Sequence, residues 1–242
     1  MKGTNTMTQI KAEYIHHCGD DITTVNAARV SYDKESAWEV DYDVVPCGLE
    51  KLSNRDARLI KYLAQHKHLS PFNHAFVSFR AKAPIYCARQ LVKHEYLPWN
   101  EVSGRYVVFK GEFHTPEQFR MAAADKKQGS GEDASPELNA VFTSVFTDGQ
   151  QAALADYEYC IRMGMSEELA RSRLPLDLMT QWFWSGTLGA WAKMCKLRCA
   201  PDTQYESRVV ANQISEVMGK LYPVSWAALM GVAPLRSETE ND

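Results

Sequence analysis

The stretch "NHAFVSFRAKAPIYCARQLVKH", residues 73–94, changes its period midway. Up to Ala83 it alternates. Ala75, Val77, Phe79 and Ala81 would face one way, and Phe76, Ser78, Arg80 and Lys82 the other, which is the pattern of a strand. Pro84 then suits the first position of a helix, where its missing N–H leaves no bond unmade, so a helix is predicted over "PIYCARQLVKH". A polar loop follows, "NEVSGRYVVF", residues 100–109. Between Asn100 and Tyr106 it offers an amide, a carboxylate, a hydroxyl, a glycine, a guanidinium and a phenol. Glycine lets a backbone come close with its N–H groups free, arginine adds a forked donor and serine a hydroxyl, and together these suit an anion such as phosphate. A helix-capping turn with a surface ion pair would use the same residues, and spacing alone leaves both readings open.

Outward from this unit the chain reads as helix-rich. "IKAEYIHH" (Ile10 to His17) alternates as a strand. Asp20 and Asp21 precede a helical pattern carrying Ile22, Val25, Ala28 and Arg29. Residues 34–52 read as an acidic loop. Asn54 to His66 reads as a helix capped by Ser53 or Asn54, with Leu59, Tyr62 and Leu63 on one face. Residues 124–138 are polar and Gly/Ser-containing, which predicts a flexible loop, and 234–242 a disordered tail. Helices are expected over "FTDGQQAALADYEYCIRMG", behind Ser166 with Glu167 and Glu168 in the first turn, over "TLGAWAKMCKLR", and over "QYESRVVANQISEVMGKLY" with a Val210, Ile214, Met218, Leu221 stripe. The expectation is one α+β domain over residues 1–242, with a small, mainly antiparallel sheet.

Bulk numbers narrow the function. The 242 residues are 45% hydrophobic and 24% charged, with net charge −3, so no global basic field draws in nucleic acid and any anion site is local. No apolar run approaches the ~20 residues that span a bilayer, and Met1 to Thr8 lacks a signal-peptide pattern, so a cytoplasmic location without membrane association is expected. Six cysteines are scattered without CxxC spacing, which reads as free thiols and no metal site. In "HKHLSPFNH" (His66 to His74), Pro71, Ser70 and Asn73 favour a turn over a metal site. Arg171 and Arg173 suit a phosphate clamp or a solvated helix face. Arg198, at the end of an apolar helix, is also where the dipole favours a cation. Trp182, Phe183, Trp184 and Trp191 read as core. No GxGxxG, Walker or GxSxG motif is present.

The segment from Arg89 to Tyr106 resembles the signature of flavin-dependent thymidylate synthases: Arg-His-Arg, seven residues, then Ser-x-Arg-Tyr. Here "KHE" (Lys93, His94, Glu95) is followed by seven residues and "SGRY" (Ser103 to Tyr106). "NAARVSYD" (Asn26 to Asp33), "HKHLSPFNHAFVSFRAKAPIYCARQ", "ARSRLPLDL" and "KLRCAPDTQYE" are similar to further segments of that family, in order, so the resemblance spans roughly Ile10 to Pro223. It implies that family's α+β fold in a homotetramer with active sites between subunits. It also implies reductive methylation of dUMP to dTMP, with 5,10-methylenetetrahydrofolate as carbon donor, FAD as flavin and NADPH as its reductant, and no cysteine nucleophile. By position, Gln90, Lys93, Glu101, Val102, Ser103, Gly104, Arg105, Arg171 and Arg198 would hold dUMP, with Arg198 favouring loss of the N3 proton. Ser31, Ser70, Asn73, Lys93, His94, Glu95, Tyr96, Glu101, Thr187, Gly189 and Lys193 would line the flavin, and His68 and Tyr106 the ring and folate. The chain departs from the family at Lys93 and Glu95, where it has arginines, and at Asn73, where it has glutamate. It departs also at Thr187 and Gly189, in place of Asn and Arg, and at Lys193, in place of Asn. These departures keep two alternatives open: action on another pyrimidine nucleotide (dCMP, or a hydroxymethyl product), or a nucleotide-binding homologue without catalysis. Glu95 is expected to point away from the flavin phosphates and to pair with Lys93 or another subunit's arginine, because an anion on a pyrophosphate is costly.

Overall fold

The computed structural model describes residues 10–41, 49–123 and 129–232. Strand β1 (Lys11–Cys18) leads into helix α1 (Asp21–Arg29), short strands β2 (Glu39–Asp41) and β3 (Leu49–Lys51), and helix α2 (Asn54–Gln65). Strand β4 (Phe76–Pro84) runs into helix α3 (Ile85–Leu91), and β5 (Trp99–Glu101) follows. Then come α4 (Pro136–Arg162), α5 (Glu167–Ala170), β6 (Met179–Thr187), α6 (Leu188–Arg198), α7 (Tyr205–Leu221) and α8 (Pro223–Met230).

The alternation of residues 75–83 holds. β4 is an inner strand of an antiparallel sheet ordered β1-β4-β6-β5, and Val77, Phe79, Ala81 and Ala83 are all fully buried. Pro84 closes the strand rather than opening the helix, and α3 stops at Leu91, so Val92, Lys93 and His94 leave the helix as a turn. Strand β6 was not expected from the sequence, because Trp182, Phe183 and Trp184 at its centre are all apolar and hide its alternation. Its register with β4 sets Trp184 opposite Phe79. Trp182 and Trp184 are buried on one face and Phe183 is on the other. Trp191 of α6 packs edge-on to Trp184 at 4.9 Å and to Phe79 at 5.2 Å, and its indole N–H donates to the Val77 carbonyl at 3.2 Å. The aromatic cluster is therefore core, as its composition suggests, with Phe183 the exception.

Helices cover the sheet. α7 buries Val210, Ile214 and Met218, whereas Leu221 is half-buried. α2 turns Asp56, Ile60 and Leu63 inward against α8, and the expected face shifts: Tyr62 is half exposed. Ser53 is its cap. Asp56 is buried because it is fully used. Arg29, Ser36 and Ser53 all donate to its carboxylate, joining α1, the following turn and α2. Burial alone would raise its pKa, but the hydrogen bonds from Arg29, Ser53 and Ser36 together hold it below the usual carboxylate range. Its contribution is thus complete above about pH 4 and disappears as pH falls through the lowered value. Asp56→Asn should cost about 3 kcal/mol, read as a lowered urea midpoint at pH 7, with a smaller difference in acid.

Three expectations change elsewhere. Within 34–52, β2 pairs with β3, each too short to show a period, while 42–48 lies outside the described residues. The loop expected over 124–138 ends earlier. Pro136 opens α4 behind a Ser135 cap, and Met121, Gly131 and Ala134 form backbone hydrogen bonds across residues 119–134. Residues 124–128 and 234–242 lie outside the described residues. Ser166 precedes α5 but makes no capping bond, and α5 is a single turn. Among the described residues no helix is long and apolar enough to cross a membrane.

Candidate functional site

Two cavities gather most of the residues assigned by resemblance. The first, of about 530 Å³, lies between α3, the end of β5, residues 102–109 and the turn Arg171–Arg173. Of the residues assigned by resemblance to dUMP, Glu101, Val102, Ser103, Gly104, Arg105 and Arg171 all line it. Glu101 is held rigidly: Thr180 donates to Oε1 at 2.7 Å and the Trp99 indole to Oε2 at 3.1 Å. Gly104 is required by space, not by backbone conformation. A Cβ there would lie 2.3 Å from the Phe109 ring and 3.2 Å from Arg171 Cδ.

The cavity is cationic. Among the described residues the Arg105 side chain bonds only to Ser103 Oγ, and its guanidinium sits 5.1 Å from the ring centre of the exposed Tyr106. Arg171 spends its Nε on the Glu168 carbonyl at 3.2 Å. Neither has a carboxylate partner among the described residues, and the same holds for Arg89, which sequence reasoning missed. Its signal was present: Ile85, Ala88, Arg89 and Val92 recur at helical spacing, and all four face this cavity. Arg173 instead pairs with Asp156 at 2.8 Å on the surface.

Gln90, Lys93 and Arg198 are not among this cavity's lining residues. Gln90 is one step round α3 from Arg89, and its Oε1 is enclosed without a partner. Lys93 lies past the helix end. Arg198 closes α6 and donates its Nε–H to His94 Nε2 at 2.9 Å. Burial, then the charges of Arg198 and Lys193, push the His94 pKa down to about 4.

The second cavity, of about 560 Å³, gathers Asn73, Tyr96, Thr187, Gly189 and Lys193, all assigned to flavin by resemblance. Thr187 donates to Asn73 Oδ1 at 2.8 Å, and a Cβ on Gly189 would lie 2.7 Å from that oxygen. The walls are mostly apolar, with Lys67 and Lys196 adding two cations that sequence reasoning did not single out. Glu95 pairs with Lys193 at 2.9 Å, rather than with Lys93, and that hydrogen bond holds its carboxyl below the usual range. Ser31 and Ser70 sit in single 3-10 turns and, with Glu101, are not lining residues of this cavity; Glu101 faces the first. His68 is exposed, 6.2 Å from the Tyr62 ring.

Among the described residues no cysteine lines either cavity. Cys87 is buried against Ser207, and burial pushes its thiol up to about 12. Cys199 is held below its ordinary value by a hydrogen bond from Cys195. Among the described residues no group of His, Cys, Asp or Glu is arranged to hold a metal; Cys47 lies outside them.

A small antiparallel sheet under helices, with one cavity lined by Arg89, Arg105 and Arg171 and another lined mostly by apolar residues, defines a helix-rich α+β protein. Residues 13–224 match the family model described as thymidylate synthase complementing protein. A flavin-dependent thymidylate synthase from Thermus thermophilus is 38% identical over 215 residues, covering 88% of this chain and 73% of that relative. One from Kosmotoga olearia is 33% identical over 215 residues, covering 89% and 87%. In fold, the chain matches the UMP/dUMP methylase PolB from Streptomyces cacaoi bound with 5-Br dUMP, with a TM-score of 0.80 at 24% identity over 94% of this chain and 97% of that one. The chain belongs to the flavin-dependent thymidylate synthase family, enzymes that reductively methylate dUMP to dTMP.

Proposed function

We propose that this chain converts dUMP to dTMP with FAD, NADPH and 5,10-methylenetetrahydrofolate, in a homotetramer in which each site is assembled from two subunits. The observation that carries this reading is the separation of the residues. Glu101 to Arg105 and Arg171 share one cavity, while Arg198 is tied to His94 outside it. One dUMP would reach both sets if a second copy brings its Arg198 to the first copy's cavity. α4 supports assembly: it buries only Gln150 and Tyr157 in its 27 residues and leaves Val141, Val145 and Tyr159 exposed.

In this reading Ser103, the Gly104 backbone, Arg105 and Arg171 hold the phosphate dianion, and Arg89 adds charge. Glu101, fixed by Thr180 and Trp99, is an acceptor for a sugar hydroxyl. Gln90 and Lys93 complete the nucleotide contacts. Arg198 stabilises the pyrimidine as N3 loses its proton, which makes C5 the nucleophile without a thiol. The second cavity suits a flavin dinucleotide: apolar walls suit the ring, and Lys67 and Lys196 suit a pyrophosphate, while Lys193 is engaged by Glu95. Ser31, Ser70, His94, Tyr96 and Thr187 would complete its surroundings, with His68 and Tyr106 toward ring and folate. Bound flavin supplies the reducing equivalents that turn a transferred methylene into a methyl group.

The test is direct. Protein shown by its visible spectrum to hold FAD, given dUMP, methylenetetrahydrofolate and NADPH, should form dTMP; none above a protein-free control overturns the reading. UMP and dCMP run in parallel should be poorer substrates. Glu95 is engaged by Lys193, so Glu95→Gln should leave FAD affinity within about threefold of wild type in a fluorescence titration. A tenfold gain would mean that Glu95 opposes the flavin phosphates.

A further inference from the structure

Arg198 and His94 meet at two element ends. Arg198 is the last residue of α6, and His94 lies three residues past α3, its backbone N–H donating to the Leu91 carbonyl at 3.2 Å. The ring is thus set by a short turn rather than a mobile loop. Its Nε2 accepts from Arg198 Nε at 2.9 Å in a half-buried position. An imidazolium has no lone pair to accept with, so this bond requires neutral imidazole with its proton on Nδ1. The surroundings agree. Arg198 and Lys193 of α6 face the ring, Cys87 of α3 beside Arg198 is a buried thiol, and Glu95 is taken by Lys193. Nothing there favours a second proton. Arg198 has no other hydrogen bond among the described residues, so both terminal nitrogens remain for a ligand.

We propose that His94 is the positioning residue of Arg198: a neutral, Nδ1-protonated imidazole that fixes the guanidinium plane through Nε and presents the two terminal nitrogens to the pyrimidine. This rests on the reading of Arg198 given above, and it assigns His94 a duty separate from lining the flavin. A guanidinium held at one nitrogen keeps its plane but not its charge state in the histidine's control. Loss of the bond should therefore slow the chemical step and spare nucleotide affinity.

Two measurements test it. Long-range proton–nitrogen spectra of histidine-labelled protein should show one side chain, assigned through His94→Gln, as the Nδ1–H tautomer from pH 8 to about 5. Arg198→Met should abolish that signature. An Nε2–H tautomer, an imidazolium at pH 7, or a signature indifferent to Arg198→Met would overturn the proposal. In turnover, His94→Gln retains an acceptor and should stay within about fivefold of wild type, whereas His94→Phe should lose about 10²-fold in kcat with dUMP affinity within about threefold. FAD content, checked by absorbance, separates this from flavin loss. If Arg198→Met turns over normally, the assignment of Arg198 itself fails. If Arg198→Met is inactive while His94→Phe, with FAD bound, is fully active, only the positioning role fails.

Discussion

Arg198→Lys should lower kcat by about 10²-fold while changing the dUMP dissociation constant only a few-fold. Lysine keeps the charge, but it loses the planar fork and the Nε–H that binds His94. The interaction removed is the one that grows as the pyrimidine becomes anionic, so the loss falls on the transition state rather than on ground-state binding. Single-turnover rates with pre-reduced flavin, set beside equilibrium titration of dUMP, separate the two. Equal losses in rate and affinity would make Arg198 a binding residue alone, and no loss in either would remove it from the site.

Arg105→Ala should act the other way, weakening dUMP about ten- to 100-fold with little effect on turnover at saturation. A hydrogen bond to a charged group contributes about 1.5–3 kcal/mol, which converts to that range. Arg105 has no carboxylate partner to release among the described residues, so its removal should not disturb the fold. Deoxyuridine, which lacks the phosphate, should bind wild type and variant alike. A variant that weakens both nucleoside and nucleotide would place Arg105 near the base or sugar instead.

How much of this was legible beforehand varies with the kind of signal. Residues 75–83 alternate because one face of β4 packs on aromatic side chains and the other does not, so their pattern carried the strand. β6 shows no such pattern. Trp182, Phe183 and Trp184 are all apolar, and only the pairing with β4 reveals which of them faces the core. The anion cavity was readable from Ser103, Gly104 and Arg105 because they are contiguous. Arg89 required its helical spacing with Ile85, Ala88 and Val92 to be followed, and Thr180 was not readable, since it reaches the cavity only through the register of β6. Glu95 and Lys193 stand 98 residues apart, and each looked like a separate departure from the family. Their contact at 2.9 Å makes them a compensated pair that only the fold could disclose. The same holds for His94 and Arg198: either residue alone fits several roles, and the hydrogen bond between them selects one.

In this reading each site is assembled from two chains. It is tested by mixing Arg198→Met with Arg105→Ala combined with Arg171→Ala, dissociating and reassembling them together, and assaying at dUMP far below the double variant's dissociation constant, where each protein alone turns over at baseline. Hybrid oligomers would contain some sites with an intact arginine cavity from one chain and an intact Arg198 from the other. Turnover should rise from baseline to about one quarter of wild type at equal mixing, because half of each kind of half-site is intact. If both halves of a site came from the same chain, no mixture would contain an intact site, and turnover would remain at the baseline of the separate variants.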